Sequence, residues 1–251
     1  MSTVLWAELK TRLIALLKSC HTPPPAPNAL ESAMRDAFAA TDARCIEETG
    51  SSGSTATCAL HLGETICIAN LGDSRTVLCR SERSFWHTED HKPDLPSERA
   101  RIEARGGFVA TPRASGEWNV PRLNGVLSVS RAFGDAAFKV ASTGPGATSD
   151  AASEANLGAL SAEPETTSRA HNPIFDEFLL LASDGLWDVM GNSAAIEFAR
   201  AALKTPRPPN PPSTIEERVQ KAVDRLVGRV VHSGHCMDNV TILIVMLCDQ
   251  I

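Results

Sequence analysis

The sequence predicts an α+β fold, a four-layer αββα sandwich of two antiparallel β-sheets flanked by helices, and three observations predict it. Apolar residues recur at helical spacing over residues 4–20 and again over 28–41. From Ser54 the pattern changes to short β-rich runs separated by glycine turns, and the second half of the chain alternates strand-like apolar runs with amphipathic helices. Each such element has an apolar face to bury, and two helical layers outside two β-layers bury them all. With 251 residues, 43% of them hydrophobic and 22% charged, the chain reads as one soluble globular domain over 1–251. Within it, 1–48 is a helical layer, 53–251 the sandwich body and 140–160 a flexible insertion.

The first helix is marked by Leu5, Leu9, Leu13, Leu16, Leu17 and Cys20, one apolar stripe that ends in the proline-rich stretch His21–Pro27. Asn28, followed three residues later by Glu31, reads as a second helix start with a reciprocal cap, and Leu30, Met34, Ala37, Phe38 and Thr41 continue one face. Next come TATCALHL, TICIANLG and SRTVLCR, three short strands punctuated at Gly63-Glu64 and Gly72-Asp73, which read as an antiparallel meander. Asp73 is expected to tie its turn to backbone N–H groups. A helix around Ser97 to Ala104 should stop at the glycine pair Gly106-Gly107. Arg131 and Asp135 read as a structural ion pair or cap.

The segment ASTGPGATSDAASEANLGAL is poor in large apolar residues, which suits a surface insertion. Beyond it, FLLLASDGLWDVM from Phe178 to Met190 is the centre of the pattern. Its apolar run is too short for a core helix and reads as a strand covered on both faces. Ser183, Asp184 and Gly185 end that strand, so a carboxylate is delivered at the rim of a packed sheet. Asn192 is expected to cap a helix through Leu203, and the prolines from Pro206 to Pro212 mark a surface loop. Ser213 with Glu216 should open a further helix to about Val231, burying Ile215, Val219, Ala222, Val223, Leu226 and Val230. The last strand begins at Val240, just after Asp238 and Asn239.

Asp184 follows one strand and Asp238 precedes another, so antiparallel neighbours would place both carboxylates at one end of a sheet. Two anions in a partly buried place repel unless a cation stands between them. Oxygen-only ligands favour Mg²⁺ or Mn²⁺ over zinc. His232 and His235 beside Cys236 suggest zinc more weakly, since the two-cysteine partner motif is missing.

A net charge of −6 argues against nucleic acid and anionic membranes as main partners. Seven cysteines without a CxxC pair read as free thiols in a reducing compartment, so the expected localisation is cytoplasmic or nuclear. Glu8, Lys10 and Arg12 interrupt the first apolar stripe, so it is neither a secretory h-region nor a membrane span.

An ordered series of blocks carries a family resemblance: GSTATCAL from Gly53, NLGDSRTVLCR from Asn70, TEDHKPDLPSERARIEARGG from Thr88, PRLNGVLSVSRAFGD from Pro121, LASDGLWDVMGN from Leu181 and DNVTILIV from Asp238. Together they resemble the type 2C (PPM) metal-dependent protein phosphatases, which remove phosphate from phosphoserine and phosphothreonine. The resemblance implies a serine/threonine phosphatase that acts on phosphoproteins through a metal-activated water. A monomer is expected, with no nucleic-acid or membrane partner. The implied cofactor is Mg²⁺ or Mn²⁺, with two ions in the complete family site and a third in some members. Asp184 and Asp238 match ligands of one ion, and Asp90 matches the aspartate that shares a further ion with the residue corresponding to Asp184. His91 and Lys92 are expected to be local structure. The bridging aspartate of a DGHGG-type motif, an upstream glutamate, a phosphate-binding arginine and a general-acid histidine find no match here. No catalytic residue is therefore assigned, and the sandwich is expected to be incomplete at its N-terminal side. The alternative is a non-catalytic, phosphatase-like protein-binding module. A phosphohydrolase with an aspartyl nucleophile does not fit, because no DxD motif follows an early strand.

Overall fold

The computed structural model of the protein describes residues 2–19, 25–49, 51–81, 85–111, 120–139, 158–204 and 214–248. Residues 21–24 of the His21–Pro27 linker, nearly all of the 140–160 insertion and the Pro206–Pro212 loop lie outside the described residues. In chain order the elements are α1 (Ser2–Ser19), α2 (Pro27–Thr49), β1 (Gly53–Ser54), β2 (Ala56–Leu62), β3 (Thr65–Leu71), β4 (Arg75–Arg80), β5 (Phe85–His87), α3 (Pro96–Ala104), β6 (Val109–Ala110), β7 (Arg122–Leu123), β8 (Phe133–Gly134), β9 (Glu165–Ala170), β10 (Asp176–Ala182), α4 (Asp184–Trp187), α5 (Asn192–Lys204), α6 (Ile215–Val231) and β11 (Ile242–Met246). They fall into two compact units, one of Met1–Ala56, Ala69–Asp73 and Asp90–Ser168, the other of Thr57–Ile68, Ser74–Glu89 and Arg169–Ile251.

In the second unit the sheet order is β11-β10-β4-β5, so β10 is an inner strand with antiparallel partners on both sides. Its side chains alternate between two cores. Phe178, Leu180 and Ala182 join Val77, Cys79 and Ile244 against Ala195, Ile196 and Ala199 of α5 and Ala222, Leu226 and Val230 of α6. Leu179 and Leu181, with Leu78, point the other way and meet Ile66 and Ile68 of β3. A strand buried on both faces needs a continuous apolar run, which is why FLLLA shows no polar alternation. Each buried Leu or Phe contributes on the order of 1.5–3 kcal/mol.

The meander expectation is corrected. β2 and β3 belong to a three-stranded sheet of order β2-β3-β9, while β4 lies in the four-stranded sheet between β10 and β5. The chain changes sheet at Gly72, whose φ is 95° and whose missing Cβ would stand 2.3 Å from Thr55 Cγ2. Only glycine fits such a turn. Strand periodicity defines the runs but does not choose their partners.

Helix boundaries move by one residue for local reasons. α2 starts at Pro27, with the Ala26 carbonyl accepting from the N–H groups of Ala29 and Leu30. Asn28 therefore lies inside the helix instead of capping it, and proline takes the first turn, where its missing N–H costs nothing. α6 is capped by Thr214, whose hydroxyl accepts from Glu217 N–H, so the capping pair is Thr214 and Glu217 in place of Ser213 and Glu216. α5 already contains Asn192, whose side-chain oxygen accepts instead from Arg75. Among the described residues of the expected α1 stripe, which exclude Cys20, Leu9 alone is fully buried, while Trp6, Ile14 and Leu17 are exposed.

In the first unit α2 buries Leu30, Met34, Ala37 and Phe38, and the Phe38 ring centre is 5.1 Å from that of Phe133 on β8. Gly134, next to it, donates its N–H to Asp42, which also binds Lys139. α3 ends with Gly107 N–H on the Ile102 carbonyl and Gly106 N–H on that of Glu103, the paired bonds of a Schellman stop. Of the expected ion pair or cap at Arg131 and Asp135, the ion pair is corrected, and Asp135 takes an N-cap position without a side-chain cap bond. Arg131 binds Glu98 at 2.6 Å, while Asp135 adopts φ 49° ahead of a 3-10 turn at Ala136–Phe138. Glu98 is nearly inaccessible and is bound as well by Arg101 at 2.8 Å and by the Ser130 hydroxyl at 2.6 Å.

Cys67 and Cys79 are buried, and Cys79 Sγ lies within hydrogen-bond distance of Glu177 and Arg200. Burial pushes the Cys79 thiol up to about 12 and that of Cys58 to about 11, so Cys79 and Cys58 stay protonated. Among the described residues no helix is long and apolar enough to cross a membrane.

Glu98 gives a testable pH dependence. Burial alone would raise its pKa, but hydrogen bonds from Arg131, Arg101 and Ser130 and the charge of Arg101 outweigh it and lower the value from 4.5 to about 2. A depressed folded-state pKa stabilises fully above about pH 4.5 and less as pH falls towards 2, a contribution of roughly 3 kcal/mol. Urea unfolding of Glu98→Gln should show a loss of about 3 kcal/mol at pH 7, since two arginines lose their partner. The difference from the wild type should shrink as pH falls from 4.5 towards 2.

Candidate metal centre

The site is built where β10 stops. Ala182, its last residue, pairs with Ile242, the first of β11, in antiparallel register. Residues 183–184 and 238–241 therefore leave the sheet at the same end. Ser183 continues the tie beyond the strands. Its N–H donates to the Thr241 carbonyl at 3.1 Å, its hydroxyl donates to the Asn239 carbonyl at 3.2 Å, and the same oxygen accepts from Thr241 N–H at 3.1 Å.

Asp184 is the first residue of α4, with Ser183 in extended conformation before it. Its Oδ1 accepts from Gly185 N–H at 2.9 Å. The short helix is held from behind by Trp187, whose indole N–H donates to the Ala182 carbonyl at 2.9 Å and whose ring lies 5.0 Å from the Arg75 guanidinium. Gly185 permits the closest approach of the two segments: a Cβ there would stand 2.3 Å from the Asn239 carbonyl oxygen. Across from it, Asp238 is exposed and its Oδ1 accepts from Asn239 N–H at 2.6 Å. Asp184 and Asp238 thus occupy one sheet end, each flanking a residue of the tie.

Asp90 lies in the first unit, in the loop before α3, where its carbonyl accepts from Lys92 N–H at 2.9 Å. His91 is buried and anchors this loop. Its Nδ1 accepts from Gly72 N–H at 3.0 Å, its own N–H donates to the Gly72 carbonyl, and its carbonyl accepts from both the N–H and the hydroxyl of Ser130. Lys92 reaches Asp73 at 2.5 Å, so the buried Asp73 is an ion-pair partner, where the sequence suggested backbone N–H groups alone. Sequence reasoning gave Ser183 no role beyond ending the strand and missed Glu98. A serine before Asp-Gly after a strand is a cap signal that could have flagged the first.

The donors at the sheet end are oxygens, which suits a hard divalent cation. Among the described residues no three His, Cys, Asp or Glu side chains gather as a metal-binding group. The weaker zinc reading is not supported, since His232, His235 and Cys236 do not gather as a metal-binding group among the described residues.

Gly185→Ala should force the Asn239 carbonyl away from α4 and destabilise the protein by about 1–3 kcal/mol. Denaturant unfolding measures the loss, and hydrogen exchange at Thr241, whose N–H is held by Ser183, should accelerate. A neutral substitution would show that the two segments are not locked together.

Comparison with known proteins agrees with this architecture. The family model described as Protein phosphatase 2C matches residues 9–230. Probable protein phosphatase 2C 71 of Arabidopsis thaliana is 35% identical over 224 residues, covering 88% of this chain and 41% of that protein. Probable protein phosphatase 2C 59 of Oryza sativa subsp. japonica is 34% identical over 224 residues, covering 88% and 56%. The chain spans about half the length of the curated relatives it matches. Among solved structures, a serine-threonine phosphatase 2C from Toxoplasma gondii superposes with a TM-score of 0.73 at 23% identity, over 97% of this chain and 78% of that one. A C. elegans sex determining protein gives 0.70 at 26% identity, over 95% and 51%. The ordered sequence blocks, the mixed helix-and-sheet fold and these matches lead to one conclusion: the chain belongs to the protein phosphatase 2C family.

Proposed function

We propose that this chain is part of a metal-dependent protein serine/threonine phosphatase, with Asp184 and Asp238 holding one Mg²⁺ or Mn²⁺ ion. The observation that carries the reading is the Ala182–Ile242 register, which sends both aspartates out of the sheet at the same end of a family fold. Divalent ions, when bound, supply an activated water and neutralise charge on the phosphoryl group. The chain's own residues supply position. Ser183 and Gly185 hold the Asp184 and Asp238 segments against each other, and Trp187 fixes the first turn of α4. Asp90 is a further candidate ligand by resemblance, on the loop that His91 anchors. The ions are two in number, with a third in some members of the family. Substrates are phosphoserine and phosphothreonine proteins, and the protein acts as a monomer in the cytoplasm or nucleus, with neither nucleic acid nor membrane as a partner.

Two measurements test this. Calorimetric titration with MnCl₂ should show weak binding to the wild type and at least tenfold weaker binding to Asp184→Asn, since loss of a supporting group alone costs that much at metal sites. Equal binding would remove Asp184 from the ligand set. Hydrolysis of a phosphothreonine peptide by these 251 residues alone should be slow. They contain no DGHGG-type motif, and loss of its positioning and charge neutralisation corresponds to about 4 kcal/mol, or roughly a thousandfold in rate, relative to a family member that has it. Rapid Mn²⁺-dependent turnover would overturn that expectation. Tight peptide binding without turnover, even in a longer product of the same gene, would favour the binding-module reading.

A further inference from the structure

The helix that carries Asp184 is a single turn, Asp184–Trp187. One turn does not hold its own shape, because fixing its backbone costs more conformational entropy than its few hydrogen bonds return. Its direction, and with it that of the Asp184 side chain, is therefore set by what grips it from outside. On one side Gly185 rests against the Asn239 carbonyl. On the other side the grip ends at Arg75.

Arg75 is the first residue of β4 and lies opposite Ala182 in antiparallel register. The Ala182 carbonyl accepts the indole N–H of Trp187 at 2.9 Å, and the Trp187 ring lies 5.0 Å from the Arg75 guanidinium. Arg75, Ala182 and Trp187 thus form a closed triangle in which strand pairing, a hydrogen bond and a cation–π contact support one another. Trp187 is buried, so the cation–π contact is shielded from water, where it is strongest. Nη1 of the same guanidinium donates to Asn192 Oδ1 at 2.5 Å, and Asn192 is the first residue of α5. Arg75 therefore holds both ends of residues 188–191, which join α4 to α5. A guanidinium can stack and donate at once, whereas a lysine ammonium offers a point charge.

We infer that Arg75 is a positioning residue of the candidate metal centre, acting through Trp187 and Asn192 to fix the direction in which α4 presents Asp184. The inference rests on Asp184 as a metal ligand, as proposed above. Groups that orient a ligand from behind change metal affinity about tenfold or more, because a ligand that must be reoriented on binding gives up part of its binding energy.

The test uses the 251-residue protein, with MnCl₂ as the probe, under conditions where every variant is folded. In calorimetry Arg75→Met should bind Mn²⁺ about tenfold more weakly than the wild type, and Asn192→Ala, which removes one of the two attachments, should fall between them. Without metal, hydrogen exchange at the Asp188 amide, which donates to the Asp184 carbonyl at 2.8 Å, should accelerate in Arg75→Met, while exchange at Leu180 in the middle of β10 stays as in the wild type. An arginine with a structural role alone would lower the unfolding midpoint and leave the affinity of the folded protein unchanged. If Asp184→Asn weakens binding and Arg75→Met does not, the inference falls while the ligand assignment stands. If Asp184→Asn binds as the wild type does, the ligand assignment falls and the inference with it. Unchanged exchange at Asp188 in Arg75→Met overturns the inference whatever the metal result. Should Arg75→Met fail to fold, wild-type affinity in both Arg75→Lys and Asn192→Ala overturns it instead.

Discussion

The second unit depends on one constraint, that β10 is buried on both faces while paired on both edges. Its odd and even positions serve different cores, Phe178 and Leu180 facing α5 and α6, Leu179 and Leu181 facing β3. A one-residue slip would exchange the two sets, and neither core has the shape for the other's side chains. The register with β4 and β11 is thereby fixed, from Phe178 opposite Met246 to Ala182 opposite Ile242. A strand constrained in this way ends at a defined place, and the turn attached to that end is placed with the same definition.

That turn is Ser183-Asp184-Gly185. Hydrogen bonds from Ser183 to both Asn239 and Thr241 extend the β10–β11 pairing past the strands proper, and the bare Cα of Gly185 lets α4 rest against the Asn239 carbonyl. Two acidic residues distant in the chain thus come to one sheet end by backbone geometry. This is the general way a rigid scaffold positions polar groups that repel each other: packing supplies the energy, and the rim supplies the place.

The first unit is secured differently, by largely buried polar groups whose partners, Arg101 apart, are distant in the chain. Glu98 gathers Arg101, Arg131 and Ser130, Asp73 binds Lys92, and Asp42 joins Gly134 to Lys139. Ion pairs of this kind contribute little net stability compared with an apolar core, yet breaking one is costly, because the abandoned charge stays buried. Their effect is to fix geometry. His91 shows it well, since its backbone and ring hold both Gly72 and Ser130 around the loop that carries Asp90.

The sequence by itself determined the helices and strands, the strand buried on both faces and the placing of Asp184 and Asp238 beside strand ends. These are written in periodicity and in local turn chemistry, which act over a few residues. Family membership was legible too, because its blocks keep their order. Tertiary structure alone decided that β4 leaves β3 for a different sheet, that Arg131 pairs with Glu98 and not with the nearby Asp135, and that α1 leaves Trp6, Ile14 and Leu17 exposed. It also decided that His61 meets His171, 110 positions further on. The physical reason is common to all four: a residue's chemistry states what kind of partner it needs, whereas only the packed chain decides which one comes within reach.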